Sequence, residues 1–435
     1  MAQLIQDVEV EGCVQAVVIE DGRITAMGPD LIGGNYASVY QGSGCALIPG
    51  LHDHHIHLNA TAAAMNSIRC GPPEVSSKVD LIAALNSGGE GWLRGVGYHH
   101  SVAGEIDRVW LDANGPNRPV RIQHRSGRLW ILNSLAMEAL NITVPKNGRL
   151  LDSDTLLRTS SAFPDLKPVV QKLLSYGITG VTEVTPSNGM KEYSYYQSAA
   201  KPLRLSVMGR AELSPEQSRY LKLHYHDHDL PPLERLANEI SDAHQTGRNI
   251  AVHCVTRAEL MLTLAALEMA GAMEGDRIEH AAIADKAAID WMKRLGVIVV
   301  TQPNFIAERI EAYSKDVETD DLPHLWRLKT FKEAGLRLAA GSDAPFGDPN
   351  PWAAMAAAVK RPRGFEAEAV EADTALGLYT KPWDNAGAQP RRLKVGDAAD
   401  LCLLDRKWSE AKQGLGEVKV NATWINGALV YNRVN

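Results

Sequence analysis

Four histidines and one aspartate fall within the six residues His52-Asp53-His54-His55-Ile56-His57. Only 14 histidines occur in the whole 435-residue chain, so scattered placement does not account for such density. The preceding Ala46-Leu47-Ile48 reads as a buried strand. Side chains alternate along a strand, so His55 and His57 face the same side. Two imidazoles aimed one way at a strand's C-terminal end can grip a borderline divalent metal. The competing reading is a polar loop rich in histidine. A metal site needs further ligands, and three more residues end strand-like runs: His253 after Ile250-Ala251-Val252, His280 after Arg277-Ile278-Glu279, and Asp343 after Gly341-Ser342. Singly, each reads more readily as a hydrogen-bonded core residue. Together they point to one shared site.

The elements that would position them alternate in type. Strand-like runs lie at 180–184, 204–208, 221–224, 250–253, 277–280, 297–301 and 338–341, with helical patterns at 233–244, 258–270 and 326–334. Such alternation implies parallel strands and an α/β fold. With the histidine stretch as strand one and 341–343 closing strand eight, the count fits a (β/α)8 TIM barrel, whose active site gathers at the C-terminal ends of its strands. Two further runs, 92–96 and 120–123, are left over. They place a long insertion, residues 59–176, after strand one. Short alternating runs with Glu11-Gly12, Asp21-Gly22 and Asn426-Gly427 between them are hairpin signals at both chain ends. Chain ends often meet, which predicts a small composite β domain from residues 1–47 and 385–435, with the barrel occupying 48–384.

Composition narrows the classes. Apolar content of 45% and charged content of 22% are those of a soluble globular protein. A net charge of −7 gives no basic footprint for nucleic acid. No apolar run is long enough to cross a membrane, and no signal peptide is visible at the N-terminus. Five scattered cysteines fit free thiols in a reducing cytoplasm better than a disulfide framework. The expected partner is a small-molecule substrate, and a homo-oligomeric state is left open.

The Pro49-Gly50-x-x-Asp53-x-His55-x-His57 opening, the strand-five and strand-six histidines and Gly341-Ser342-Asp343 resemble the amidohydrolase superfamily of metal-dependent hydrolases. Leu111-Asp112, Arg118-Pro119-Val120, Gly127 with Asn133-Ser134, and Gly177-Ile178-Thr179-Gly180-Val181-Thr182 resemble its branch of N-substituted formamide deformylase-like enzymes. One departure is Gly127-Arg128, where that branch tends to carry Gly-His. Arg128 reads either as a contact for an anionic substrate group or as a salt-bridged insertion residue.

The resemblance implies two divalent ions, with zinc the first expectation and Mn, Co, Fe or Ni as alternatives. One would be held by His55, His57 and Asp343, the other by His253 and His280. Lys222, carboxylated by CO2, would bridge them. A lysine between leucines on an interior strand is otherwise expensive to bury. Glu183 on strand two is the rival bridge, or else orients a ligand or substrate from behind, and a mononuclear site is the third option. The chemistry implied is hydrolysis of an amide, formamide, carbamate or cyclic amide by a metal-activated hydroxide, with Asp343 as proton carrier. Lactone or ester hydrolysis is feasible at the same centre. Deamination on this fold generally places a glutamate three residues after the strand-five histidine, where this chain has Thr256. A non-catalytic scaffold is disfavoured because every expected ligand is present. The insertion is expected to cover the barrel mouth. Its Trp92, Tyr98, Trp110 and Trp130 read first as its own core and second as a stacking surface for substrate. His224, His226 and His228 read as exposed loop residues.

Overall fold

The computed structural model describes residues 2–31, 33–140, 145–151 and 163–433. Contacts divide the chain into two units: Met1–Leu58 with Leu166–Asn435, and Asn59–Asp165.

In the first unit both chain ends contribute to one seven-stranded sheet. Its order is Ala428–Asn432, Val420–Ile425, Leu401–Leu404, Ser38–Pro49, Gln3–Val10, Cys13–Glu20 and Arg23–Gly28. The hairpin signals act as read: Glu11-Gly12, Asp21-Gly22 and Asn426-Gly427 all have positive φ at both residues, which tight two-residue turns require. Ile5, Val17, Ile19, Leu47, Leu401 and Trp424 form the core of this sheet. Strand Ser38–Pro49 pairs with both chain ends and runs through Gly50 straight into the histidine strand.

The same unit holds eight parallel strands: strand one, Leu51–Ile56; two, Ile178–Glu183; three, Arg204–Val207; four, Tyr220–Leu223; five, Asn249–Cys254; six, Arg277–His280; seven, Ile298–Thr301; and eight, Arg337–Ala340. Strands one to three form one arc and four to eight another. Single parallel bridges link the arcs at Gly209 with Leu221 and at Ile56 with Ala344. Helices Leu233–Gln245, Arg257–Ala270, Lys286–Leu295 and Leu328–Glu333 alternate with strands four to eight. Every strand counted from the sequence is present, displaced by at most three residues at an end.

The sequence placed the end of the insertion at 176, whereas the second unit ends at Asp165. Helix Lys167–Ser175 buries Val169, Val170, Leu173 and Leu174, and Thr423 on a strand of the seven-stranded sheet donates to the Leu174 carbonyl at 2.8 Å. That apolar stripe belongs to the first unit.

The second unit has its own sheet, ordered Arg149–Leu151, Leu129–Leu132, Val120–His124, Leu93–Tyr98 and Ile68–Arg69. Leu81, Leu93, Tyr98, Leu111, Val120 and Ile122 form its core. Tyr98 and Trp130 are buried and Trp110 packs against this core, while Trp92 is exposed. The insertion's aromatics therefore serve chiefly its own packing. All five cysteines are free. Among the described residues no helix is long and apolar enough to cross a membrane.

Candidate metal centre

Strand one is buried along its whole length. Its alternation separates two pairs of histidines. His52 and His54 lie with ring centroids 4.3 Å apart at a tilt of 48°, and His52 meets Thr182 Oγ1 at 2.9 Å. His55 and His57 lie 5.7 Å apart, and each presents Nε2 to Asp343 Oδ1, at 3.4 and 3.3 Å. The His280 ring is 4.7 Å from that of His55, and His253 is 4.7 Å from His280. His55, His280 and Asp343 form a group whose candidate ligand atoms all lie within 4.8 Å of one another. Five residues spread over nearly 290 positions thus meet at the C-terminal ends of strands one, five, six and eight.

Backbone turns aim two of them. His280 has φ 72° and Asp343 φ 54°. Left-handed backbone at a non-glycine residue is sparsely populated and is found where surrounding structure over-determines it. The Asp343 amide is tied to the His55 carbonyl at 2.7 Å. Asp53, on the same strand as His55, accepts from the amides of His55 and Ser342 at 3.0 Å each, which pins strand one to the strand-eight loop. Burial raises the Asp53 pKa to about 6.

Behind the imidazoles stands a layer of partners. His55 Nδ1 bonds Glu279 Oε2, His57 Nδ1 meets Thr185 Oγ1 at 2.8 Å and His280 Nδ1 meets Gln302 Oε1 at 2.6 Å. An ionised carboxylate only accepts, so His55 carries a proton on Nδ1, which leaves Nε2 as the atom a metal would take. Metal-binding histidines characteristically donate their other ring N–H to such partners. Glu279 is fixed by Arg277, which reaches both its oxygens at 2.8 and 3.1 Å and also donates to the His54 carbonyl at 2.9 Å. Burial alone would raise the Glu279 pKa, but Arg277, Lys222 and His55 outweigh it and hold the carboxylate ionised.

Lys222 is 5% exposed on strand four, and its Nζ is buried without a hydrogen-bond partner. Burial lowers its pKa to about 8, with Glu279 opposing and Arg277 reinforcing the shift. Glu183 is fully buried, but its carboxylate is occupied: it accepts from the amides of Leu58 and Thr185 and from Asn188 Nδ2. It therefore organises the loops after strands one and two, including the residue that holds His57. Arg128 belongs to the second unit, at the turn between strands Val120–His124 and Leu129–Leu132. His224 is exposed, yet its ring lies only 4.0 Å from His253.

Sequence reasoning passed over Glu279, Gln302 and Thr185. Glu279 carried a signal of the same kind as Lys222: an ionisable side chain on a fully buried strand. Simple alternation places Glu279 and His280 on opposite faces. The left-handed turn at His280 removes that separation.

The donor set is N- and O-rich, backed by oriented partners, and contains an orphaned buried amine. It suits a divalent metal of the Zn, Mn, Fe, Co or Ni kind. A family model described as "Amidohydrolase family" matches residues 42–431. The chain belongs to the amidohydrolase family. It is accordingly an enzyme, a hydrolase. This amidohydrolase is 24% identical over 517 aligned residues to an N-substituted formamide deformylase of Arthrobacter pascens, covering 97% of this chain and 95% of the relative. Its fold is shared with an uncharacterized metal-dependent hydrolase of Pyrococcus furiosus (TM-score 0.75, 20% identity, 93% and 99% of the two chains). It is shared also with N-isopropylammelide isopropylaminohydrolase of Burkholderia multivorans (TM-score 0.60, 16% identity, 99% and 98%). These likenesses give a TIM-barrel-type α/β fold.

Proposed function

We propose that this amidohydrolase cleaves the C–N bond of a small amide, formamide, carbamate or cyclic amide at a binuclear centre in a closed (β/α)8 barrel. His55, His57 and Asp343 would hold one divalent ion and His253 and His280 the other, and Lys222, once carboxylated, would supply a further anionic ligand. The observation that carries the two-ion reading is the Lys222 amine, buried beside the imidazole cluster with no hydrogen-bond partner. An unpaired buried cation is costly, whereas addition of CO2 to the neutral amine makes a carbamate that carries negative charge to the ions. Two single bridges between the arcs support closure of the barrel.

Bound ions would supply Lewis acidity and water acidic enough to attack at neutral pH. The protein's part is proton handling and orientation. Burial would raise the Asp343 pKa, but His55 and His57 hold it well below the carboxylate range. Asp343 is thus ionised, and its carboxylate beside His55 and His57 is the group placed to take a proton from the attacking water and pass it to the leaving nitrogen. Glu279, Thr185 and Gln302 keep three imidazoles turned with Nε2 inward. The formamide deformylase relative supports formamides as the first substrate class to try. Thr256 supports hydrolysis over nucleobase deamination: it caps helix Arg257–Ala270, accepting from the Glu259 amide, and bonds Asp227 at 2.9 Å.

The test is a screen of metal-reconstituted enzyme against N-substituted formamides, N-acyl amines, carbamates and cyclic amides, with released amine as readout. Metal-dependent turnover of one of these classes, lost in Lys222→Ala, is expected. Ammonia release from aminated heterocycles alone would overturn the reading in favour of a deaminase.

A further inference from the structure

We propose that His99, His100 and His124 form a second site for a divalent transition-metal ion, built wholly within the inserted unit. Among the described residues only one other group of at least three His, Cys, Asp or Glu brings its ligand atoms within 4.8 Å, and that is the barrel cluster. Sheet topology explains the convergence. Strands Leu93–Tyr98 and Val120–His124 are parallel neighbours with Tyr98 opposite His124, and Arg125 donates to the Tyr98 carbonyl at 2.8 Å. Both chains therefore leave the sheet at the same edge, and His99, His100 and His124 are delivered there together. The His99 and His100 rings lie 3.9 Å apart, and those of His99 and His124 5.9 Å.

The two exits repeat a local design, His99-His100-Ser101 and His124-Arg125-Ser126. In each, histidine Nδ1 faces the hydroxyl of the serine two residues on, at 2.7 and 3.0 Å. The amides of those serines donate to Nδ1, at 3.3 and 3.1 Å. A hydroxyl can accept as well as donate. When it accepts from Nδ1–H, Nε2 becomes the ligand atom, the arrangement that metal-bound histidines use. Without metal, the same Nδ1 caps the serine amide. Bonds of about 2.1 Å to one ion need nitrogens closer than the cluster's outer spacing, and rotation of exposed His100 supplies the movement. An all-imidazole set selects Zn, Ni, Cu or Co over Mg or Ca.

The experiment uses the full-length protein, stripped by chelator and titrated with Co(II) or Ni(II), with bound equivalents counted by calorimetry and elemental analysis. Wild type is expected to hold one equivalent more than His99→Ala/His124→Ala. His253→Ala/His280→Ala should keep that equivalent, so this site is counted apart from the barrel ions. Ser101→Ala/Ser126→Ala, which leaves all three imidazoles, should weaken that equivalent about 10–100-fold. Circular dichroism checks that each variant folds. Equal metal counts in wild type and His99→Ala/His124→Ala overturn the proposal. If that variant does not fold, unchanged affinity in both His100→Ala and Ser101→Ala/Ser126→Ala overturns it.

Discussion

Replacing Glu279 by glutamine separates its two tasks from its shape. In the wild type the carboxylate takes two N–H bonds from Arg277 and one from His55 Nδ1, with side chains 2% exposed or less on all three. Glutamine keeps the volume but removes the charge and turns one acceptor into a donor. Arg277 is then left with a buried, uncompensated charge. Breaking a buried pair costs about 3–5 kcal/mol. The lower end is expected here because Arg277 keeps the His54 carbonyl and the Tyr220 ring face, 5.3 Å away. If the new amide donates to His55 Nδ1, the proton of that imidazole moves to Nε2 and the ligand lone pair is lost. Partners of this kind are worth about 10–100-fold in metal affinity. The assays are urea unfolding of metal-free protein and competitive metal titration against a chromophoric chelator. Stability within about 0.5 kcal/mol of wild type, together with metal affinity within about threefold, would refute the positioning argument for Glu279.

Other expectations follow from the same geometry. Asp343→Asn should lower kcat by about 10²–10⁴-fold, measured on whichever amide the screen identifies; unchanged kcat would remove Asp343 as proton carrier. Lys222→Ala should reduce the metal held at the barrel cluster from two equivalents to one or fewer and abolish any rate increase on adding bicarbonate. In metal-free protein the folded Lys222 pKa of about 8 lies below its ordinary 10.5. Between those values the unfolded chain binds the extra proton, so stability should rise with pH across that window by about 3 kcal/mol. Urea unfolding of wild type against Lys222→Met checks this, and parallel pH profiles would contradict it.

The legible parts of this chain were those in which one short run carried both the element and its chemistry. Ile250-Ala251-Val252-His253 and Arg277-Ile278-Glu279-His280 each announce a buried strand with a histidine at its end, and counting such runs gave the eight parallel strands. Asp-Gly and Asn-Gly announced the terminal hairpins because few other pairs tolerate positive φ twice. What was missed depends on contacts between distant strands. Gln302 follows strand seven and matters only because His280 turns back toward it. Thr185 acquires its role from Glu183, which grips the loops on either side. The insertion boundary was misplaced because Val169, Val170, Leu173 and Leu174 show an apolar face without naming the strand it covers. Glu183 was weighed as a ligand from its burial and position alone, and the amides around its carboxylate are invisible in sequence.

The central claim is that side chains from strands one, four, five, six and eight jointly hold metal. Anomalous diffraction from crystals of reconstituted protein, collected at the absorption edge of the added metal, tests it most directly. The account predicts two peaks at the strand ends. One should lie about 2.0–2.2 Å from His55, His57 and Asp343, the other at that distance from His253 and His280, with density for a carboxylated Lys222 between them. A crystal with no anomalous peak among these residues would contradict it.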